Sequence, residues 1–366
     1  MRVGLIIYGS LDTLSGGFLY DRKLAEYLRA QGDEVEVISL PWRDYAHHLR
    51  DNLSESLLHR LTGLEMDLLI QDELNHPSLF WLNRRLRGRV NYPIIAIVHH
   101  LRGCEPRPVW QNSFYLWIER NFLETIDAFI FNSQTTRKVV ASLLRNHPPG
   151  VVAYPAGDRL APKITEHEII ARARHPGPLK LLFLGNVLPR KGLHILLDAL
   201  RQVPKDKWVL RVAGDLSLDR TYGRRIQRLA STPYLEGMVH FLGSLDLDEL
   251  KAQLRDSHFL VLPSFYEGYG IAYLEGMAFG LPAVGTRAGA AKEIITHGEN
   301  GFLIDPGDSA SLAQCLQQAA GDRDLLQRLS LAARQRYLAH PTWEDTTRRI
   351  REFLCAVLRD PRGFQD

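Results

Sequence analysis

Short apolar runs alternate with segments of helical period along most of the chain. In the first half the runs are RVGLIIY (2–8), EVEVISL (34–40), DLLIQ (67–71), PIIAIVHH (93–100) and AFIFNS (128–133). Between the first two lies GFLYDRKLAEYLRAQG (17–32), where Leu24, Tyr27 and Leu28 fall at helical spacing and Gly32 reads as a stop. Strands that are apolar on both faces and alternate with helices predict a parallel sheet covered by helices. Residues near 146–178 break the rhythm, being rich in Pro, Gly and charge, and read as a crossing between domains. The alternation then restarts with LKLLFLG (179–185), WVLRVAG (208–214), VHFLG (239–243), HFLVLPS (258–264), LPAVGT (281–286) and GFLIDP (301–306). The expectation is two α/β domains, 1–160 and 161–342, facing each other across a cleft. An amphipathic helix over about 343–366 would pack back near the first domain. In open α/β sheets ligands bind beyond the carboxyl ends of the strands, so the loops after strands are where chemistry is expected.

Composition narrows the class. The 366 residues carry 45% apolar and 24% charged side chains, and their formal net charge of +3 does not demand nucleic acid as a partner. The basic stretch Asn83–Arg89 reads as a solvated helix end. Cys104, Cys315 and Cys355 are far apart with no C-x-x-C spacing, which argues against a disulfide framework or zinc site and for a reducing compartment. The first apolar run is too short for a signal peptide core, and no stretch approaches the roughly twenty apolar residues that span a bilayer. The expectation is a cytoplasmic protein without a transmembrane segment, with room for peripheral contact with the inner face of a membrane.

Three strand-following loops carry chemistry. The first holds Ser15, Gly16 and Gly17, where a glycine pair lets backbone approach a ligand and a helix N-terminus offers N–H groups to an anion; a tight turn is the plainer reading. In the second, GNVLPRKGLHILLDAL (185–200), Arg190 and Lys191 stand just before a helix and suit a phosphate. The third, EGYGIAYLE (267–275), sets Glu267 and Glu275 on either side of a helix start. Carboxylates accept two hydroxyl donors each, as vicinal sugar or ribose hydroxyls supply, while the amides at Gly268, Tyr269, Gly270 and Ile271 suit a diphosphate. Two hydroxyl-acceptor sites bracketing a phosphate site describe a nucleotide sugar. Asp246 and Asp248 form an Asp-x-Asp string, but Glu249 gives capping-box spacing, so no metal is expected there.

The segments GNVLPRKGLHILLDAL, VAGD, VHFLGSL, LPSFYEGYGIAYLEGMAFGLPAVGT and AAKEIITHGENGFLIDPGD follow in order a pattern that resembles the retaining glycosyltransferases of the GT-B fold, family 4 (glycosyl transferases group 1). The resemblance covers Leu181 to about Pro306; the first half matches only in its Gly-rich loop, in VHH and in FNSQTTRKV. It implies two facing Rossmann-like domains. It further implies that Glu267 contacts the donor hexose, Glu275 the ribose and Lys191 the diphosphate, and that Phe241 and Leu242 present backbone to the base. Gly16 would lie near the reaction centre, with His99 facing the acceptor and donor sugar in preference to His100; by residue type alone the paired histidines could also hold a metal or sit satisfied in a core. One departure stands out: the family's Arg after the strand-ending Gly is Asn186 here, and Arg190 could supply the missing charge. The implied activity needs no cofactor or metal beyond a nucleotide sugar, UDP-sugar first and GDP- or ADP-sugar as alternatives. The acceptor would be met by loops at about 42–60 and 104–117. A nucleotide-sugar epimerase or hydrolase of the same fold, and a non-catalytic sugar-nucleotide or glycan-binding protein, are the rival readings. The sequence leaves acceptor, linkage and oligomeric state open.

Overall fold

The computed structural model describes residues 1–13 and 15–359 and divides the chain into two compact units. The first comprises Met1–Pro155 and the chain from Pro341 on; the second comprises Ala156–His340. The last residues of the tail helix expected over 343–366 fall outside the described residues; within them a helix runs over Trp343–Arg359.

The first unit contains a six-stranded sheet of β1 (Arg2–Tyr8), β2 (Glu34–Leu40), β3 (Leu68–Asp72), β4 (Ile94–Val98), β5 (Ala128–Phe131) and β6 (Gly150–Val152), in the order β2-β1-β3-β4-β5-β6. All pairings are parallel. The central strands β3, β4 and β5 are buried along their whole length, which is why they read as unbroken apolar runs. Helix Gly16–Ala30 opens with Ser15 accepting from the Phe18 amide and presses Leu24, Ala25 and Leu28 inward. Its outer neighbour is Trp343–Arg359: the Trp343 ring meets Tyr20 edge-on at 5.8 Å, and Arg351 Nε donates to Asp33 at 2.7 Å.

The second unit repeats the design with β7 (Leu179–Leu184), β8 (Trp208–Ala213), β9 (Val239–Gly243), β10 (Phe259–Val261), β11 (Ala283–Thr286) and β12 (Gly301–Ile304), ordered β12-β11-β10-β7-β8-β9. These pairings are also parallel.

Two stretches differ from expectation. The Pro/Gly-rich segment 146–178 is not only a crossing: it contains β6 and a helix at Glu166–Arg174. Strand β6 is three residues long and only partly buried, too short for an alternation signal, and the helix is announced by a Thr165–Glu168 capping box rather than by apolar periodicity. The acceptor-side segments at 42–60 and 104–117, read as loops, carry helices Tyr45–Asp51, Glu55–Gly63 and the start of Val109–Leu123. Asp44 and Ser54 cap the first two.

Each strand order reverses once. In the first sheet the reversal lies between β1 and β3, in the second between β7 and β10. A crevice beyond the strand ends opens at such a switch point, and it is the favoured ligand position in this class of sheet.

Candidate functional site

At the switch point of the second unit, the loops after β7 and β10 meet. The first leaves β7 through Gly185 and Asn186, makes a tight turn at Pro189–Lys191, and starts helix Leu193–Leu200 from Gly192. Gly192 has φ 71°, and a Cβ there would stand 2.0 Å from the Pro263 carbonyl oxygen, so only glycine lets this loop lie on the β10 loop. The Phe265 amide then donates to the Arg190 carbonyl at 2.8 Å. This contact brings the basic pair beside the acidic loop.

Lys191 Nζ donates to Glu267 Oε2 at 2.7 Å, with both side chains largely buried, at 14% and 12% exposed. Ser264 Oγ donates to the same oxygen at 3.1 Å. Burial pushes the Glu267 carboxyl up, but the charges of Lys191 and Arg190, with the Lys191 and Ser264 hydrogen bonds, outweigh it and hold the group below the usual carboxylate range. Glu267 is therefore ionised at neutral pH, an acceptor held in place by cations. Its backbone is fixed too, the Ala290 amide donating to the Glu267 carbonyl at 3.0 Å.

Helix Ile271–Ala278 starts from Gly270 at φ 99°. Neither it nor helix Leu193–Leu200 has a side-chain cap, whereas the helices that follow Ser15, Ser133, Thr165 and Asp246 do. The two uncapped N-termini stand where positive dipole ends favour an anion. Tyr269 turns its ring into the core, its hydroxyl 3.3 Å from His340 Nε2, so its contribution to the loop's open side is backbone. Glu275 lies in the second turn of the helix and is 3% exposed. Burial raises its carboxyl above the usual range, and Arg159, whose Nε donates to Oε1, only partly offsets this.

Strand β9 forms the sheet edge. Its ladder to β8 slips between Val212 and Ala213, so Phe241 pairs with Val212 and Gly243 with Ala213, leaving Leu242 as the extra residue of a bulge. Phe241 and Leu242 are half-buried. Asn186, where an Arg was missed, is half-buried and its carbonyl accepts from Leu188 at 2.9 Å.

At the switch point of the first unit, His99 follows β4 and lies against the Gly-rich turn: a Cβ on Gly17 would be 3.3 Å from His99 Cδ2. Its Nε2 is 3.4 Å from Asp21 Oδ1, and the Tyr20 ring meets it edge-on at 5.3 Å. Asp72, at the end of β3, completes the group; the ligand-type atoms of Asp21, Asp72 and His99 lie within 4.8 Å of one another. Asp21 is fully buried and its Oδ2 has no hydrogen-bond partner among the described residues. Burial alone would lower the imidazole; the Asp21 hydrogen bond and the charges of Asp72, Asp21 and Glu73 raise it to about 9. Burial, then the neighbouring Asp21 charge, drives Asp72 well above the carboxylate range. His100 instead faces Glu105, Nε2 to Oε1 at 2.9 Å, so His99 is the histidine at the switch point.

A second buried group, Glu73, His76 and Glu119, also has cation-site composition, with ligand atoms within the same 4.8 Å. Its atoms are engaged internally: His76 Nε2 meets the Tyr45 hydroxyl at 3.1 Å, and Glu119 accepts from the Arg102 and Gly103 amides. We assign neither group to a metal. Asp246 accepts from the Asp248 and Glu249 amides while Glu249 accepts from the Asp246 amide, the capping box its spacing announces.

Sequence reading missed Asp21, Asp72 and Arg159. Asp21 had a signal: it shares a helical face with Leu24, Ala25 and Leu28, an acid on an apolar stripe.

The model of the family described as glycosyl transferases group 1 matches residues 166–336. The glycogen synthase of Mycobacterium tuberculosis is 31% identical over 53% of this chain and 47% of its own length. The chain spans about half the length of the curated relatives it matches first. Sucrose-phosphate synthase from Thermosynechococcus elongatus superimposes with a TM-score of 0.83 at 21% identity, covering 98% of this chain and 99% of that one. Anabaena HepE, solved in complex with UDP and glucose, gives 0.76 at 20% identity over 97% of this chain and 100% of its own. Both likenesses show the two-unit GT-B fold.

Proposed function

We propose, from the match of residues 166–336 to the model of the glycosyl transferases group 1 family, that the chain belongs to that family and moves a hexose from a nucleoside-diphosphate sugar to an acceptor hydroxyl with retention of the anomeric configuration. UDP-sugar is the first donor class to test, since HepE was solved with UDP; GDP- and ADP-sugars follow. The acceptor hydroxyl belongs to a glycan, a lipid or a small molecule.

The observation that carries the reading is the Lys191–Glu267 pair set between two uncapped helix N-termini at a switch point. A diphosphate there meets Lys191, Arg190 and helix amides, and its growing negative charge is stabilised as the sugar departs. Glu267 accepts hydroxyl protons of the hexose, Glu275 those of the ribose, and backbone at Phe241 and Leu242 takes the base. Asn186 and the amides of Gly268, Tyr269, Gly270 and Ile271 complete the phosphate contacts. For the first unit, the reading gives Gly16 and Gly17 a close backbone approach to a ligand and gives His99 a contact with a sugar. Retention follows a front-face path in which the departing phosphate oxygen takes the acceptor's proton.

The test is thermal unfolding against a panel of UDP-, GDP- and ADP-sugars, followed by turnover with and without acceptors. A true donor at one hundred times its dissociation constant should stabilise the protein by about 2.7 kcal/mol. If no nucleotide sugar shifts unfolding, the reading fails. Turnover without acceptor would instead favour an epimerase or hydrolase, and intact donor after long incubation a binding protein. We further expect turnover to survive excess EDTA, because Lys191 and Arg190 can supply the positive charge a bridging metal would bring and Asp246 is committed to its cap. Loss with EDTA, restored by manganese, would contradict this.

No helix among the described residues is long and apolar enough to cross a membrane.

A further inference from the structure

Glu275 is the one charged residue of helix Ile271–Ala278 and is almost wholly buried. A carboxylate in such a place stays charged only if a cation is brought to it. Arg159 is the one cation that bears on it, and the chain takes unusual care to deliver it. Arg159 sits in the tight turn Asp158–Leu160. The residue before the turn, Gly157, lies so close to the helix that a Cβ would stand 2.7 Å from Leu274 Cβ and 2.9 Å from the Leu274 carbonyl carbon. The residue after it, Ala161, has φ 39°, the only non-glycine at positive φ among the described residues. Leu160 is anchored in the core. The backbone on both sides of Arg159 is thus held against the helix, and its Nε reaches Glu275 Oε1. That is the only hydrogen bond the Glu275 carboxylate makes among the described residues; it leaves Oε2 without one, and the arginine itself is 26% exposed.

A plain structural staple would bury both partners and use both oxygens. This arrangement uses one oxygen and keeps the cation within reach of solvent. Resting on the reading that Glu275 faces a ribose, we infer that Arg159 is the positioning residue of the ribose subsite: it fixes the Glu275 carboxylate by Oε1 and thereby presents Oε2 to accept a ribose hydroxyl. A neutral Glu275 would offer a donor to that hydroxyl as readily as an acceptor, and a loosened one would not hold the angle. Arg159 thus sets discrimination between ribose and deoxyribose without touching the phosphates.

The experiment measures binding of UDP, 2′-deoxy-UDP, 3′-deoxy-UDP and UMP to the full chain and to Arg159→Met, Arg159→Lys and Glu275→Gln by calorimetry, with thermal midpoints alongside. In the wild type at least one deoxy analogue should bind about tenfold more weakly than UDP. Arg159→Met should weaken UDP by a similar factor and bring the UDP/deoxy ratio to within about twofold, as should Glu275→Gln, while the UDP/UMP ratio stays unchanged. Arg159→Lys, which keeps a cation and guards against a folding failure of the methionine variant, should hold an intermediate ratio. Equal weakening of all ligands with the deoxy ratio intact, in either arginine variant, overturns the proposal and leaves Arg159 a staple. A wild type that does not distinguish ribose from deoxyribose overturns instead the ribose role of Glu275, and one that binds no UDP overturns the UDP-sugar reading above.

Discussion

Lys191→Ala is expected to lose turnover by about 10²–10³-fold, on the order of 2.7–4 kcal/mol of barrier, the cost of removing one preorganised stabilising group. The diphosphate is already anionic in the donor and gains further negative charge as the sugar departs, so the loss should fall on the rate constant more than on donor binding. The structure adds a second expectation. Lys191 is paired with the largely buried Glu267, so its removal leaves a carboxylate short of one of its cations. Breaking a fully buried pair costs about 3–5 kcal/mol; here Arg190 still bears on Glu267 and both side chains keep some solvent contact, so about 1–3 kcal/mol of stability is the expected loss. The double variant Lys191→Ala/Glu267→Gln removes the stranded charge. It should regain most of that stability and none of the turnover. A double variant that recovers turnover together with its thermal midpoint would show that the pair serves folding alone. Near-normal turnover in the single variant would remove Lys191 from the chemistry.

The second large effect concerns His99. With its imidazole raised to about 9, by carboxylate neighbours that overcome the opposing effect of burial, the ring is a cation through the neutral range. The kcat/KM profile should be level through neutrality and fall as pH rises through about 9. His99→Gln should cost on the order of 10²-fold at pH 7 by loss of a fixed charge. Asp21→Asn keeps the shape of the side chain but removes the closest negative charge, so the alkaline limb should move to lower pH while the protein stays folded. The sign of the stability effect follows the same logic. A histidine whose folded value lies above its unfolded value of about 6.5 contributes stability that is complete below that value and lost as pH rises through about 9. An Asp21→Asn profile that superimposes on the wild type would show that the group tunes nothing.

The alternation of apolar runs was enough to give every strand of the two sheets except β6, and the loops after those strands, because strands buried on both faces leave an unbroken signal in the chain. Lys191 and Glu267 could be placed in strand-following loops, and Glu275 near a helix start, for the same reason. What could not be read was pairing over distance. That Lys191 and Glu267, 76 residues apart, share one hydrogen bond depends on Gly192 lying on the carbonyl of Pro263. Asp72 and Asp21 come together only because β1 and β3 are neighbours in a sheet whose order departs from the order in sequence. Strand β6 and the turn carrying Arg159 lay in a stretch whose prolines and glycines announce irregular backbone, and there sequence pattern carries little about which side chains face inward.

The return of Trp343–Arg359 to helix Gly16–Ala30 bears on how the protein is made. The second unit is continuous, Ala156–His340, and can close as soon as it has been synthesised, whereas the first is interrupted by it. At about 5–20 residues per second, on the order of ten to forty seconds separate the emergence of β6 from that of the last helix. Through that interval Tyr20 lacks the Trp343 ring and Asp33 lacks the Arg351 guanidinium. A nascent chain stalled anywhere in the second unit would therefore expose this face of the first, and in the cell that is where a chaperone would be expected to take hold.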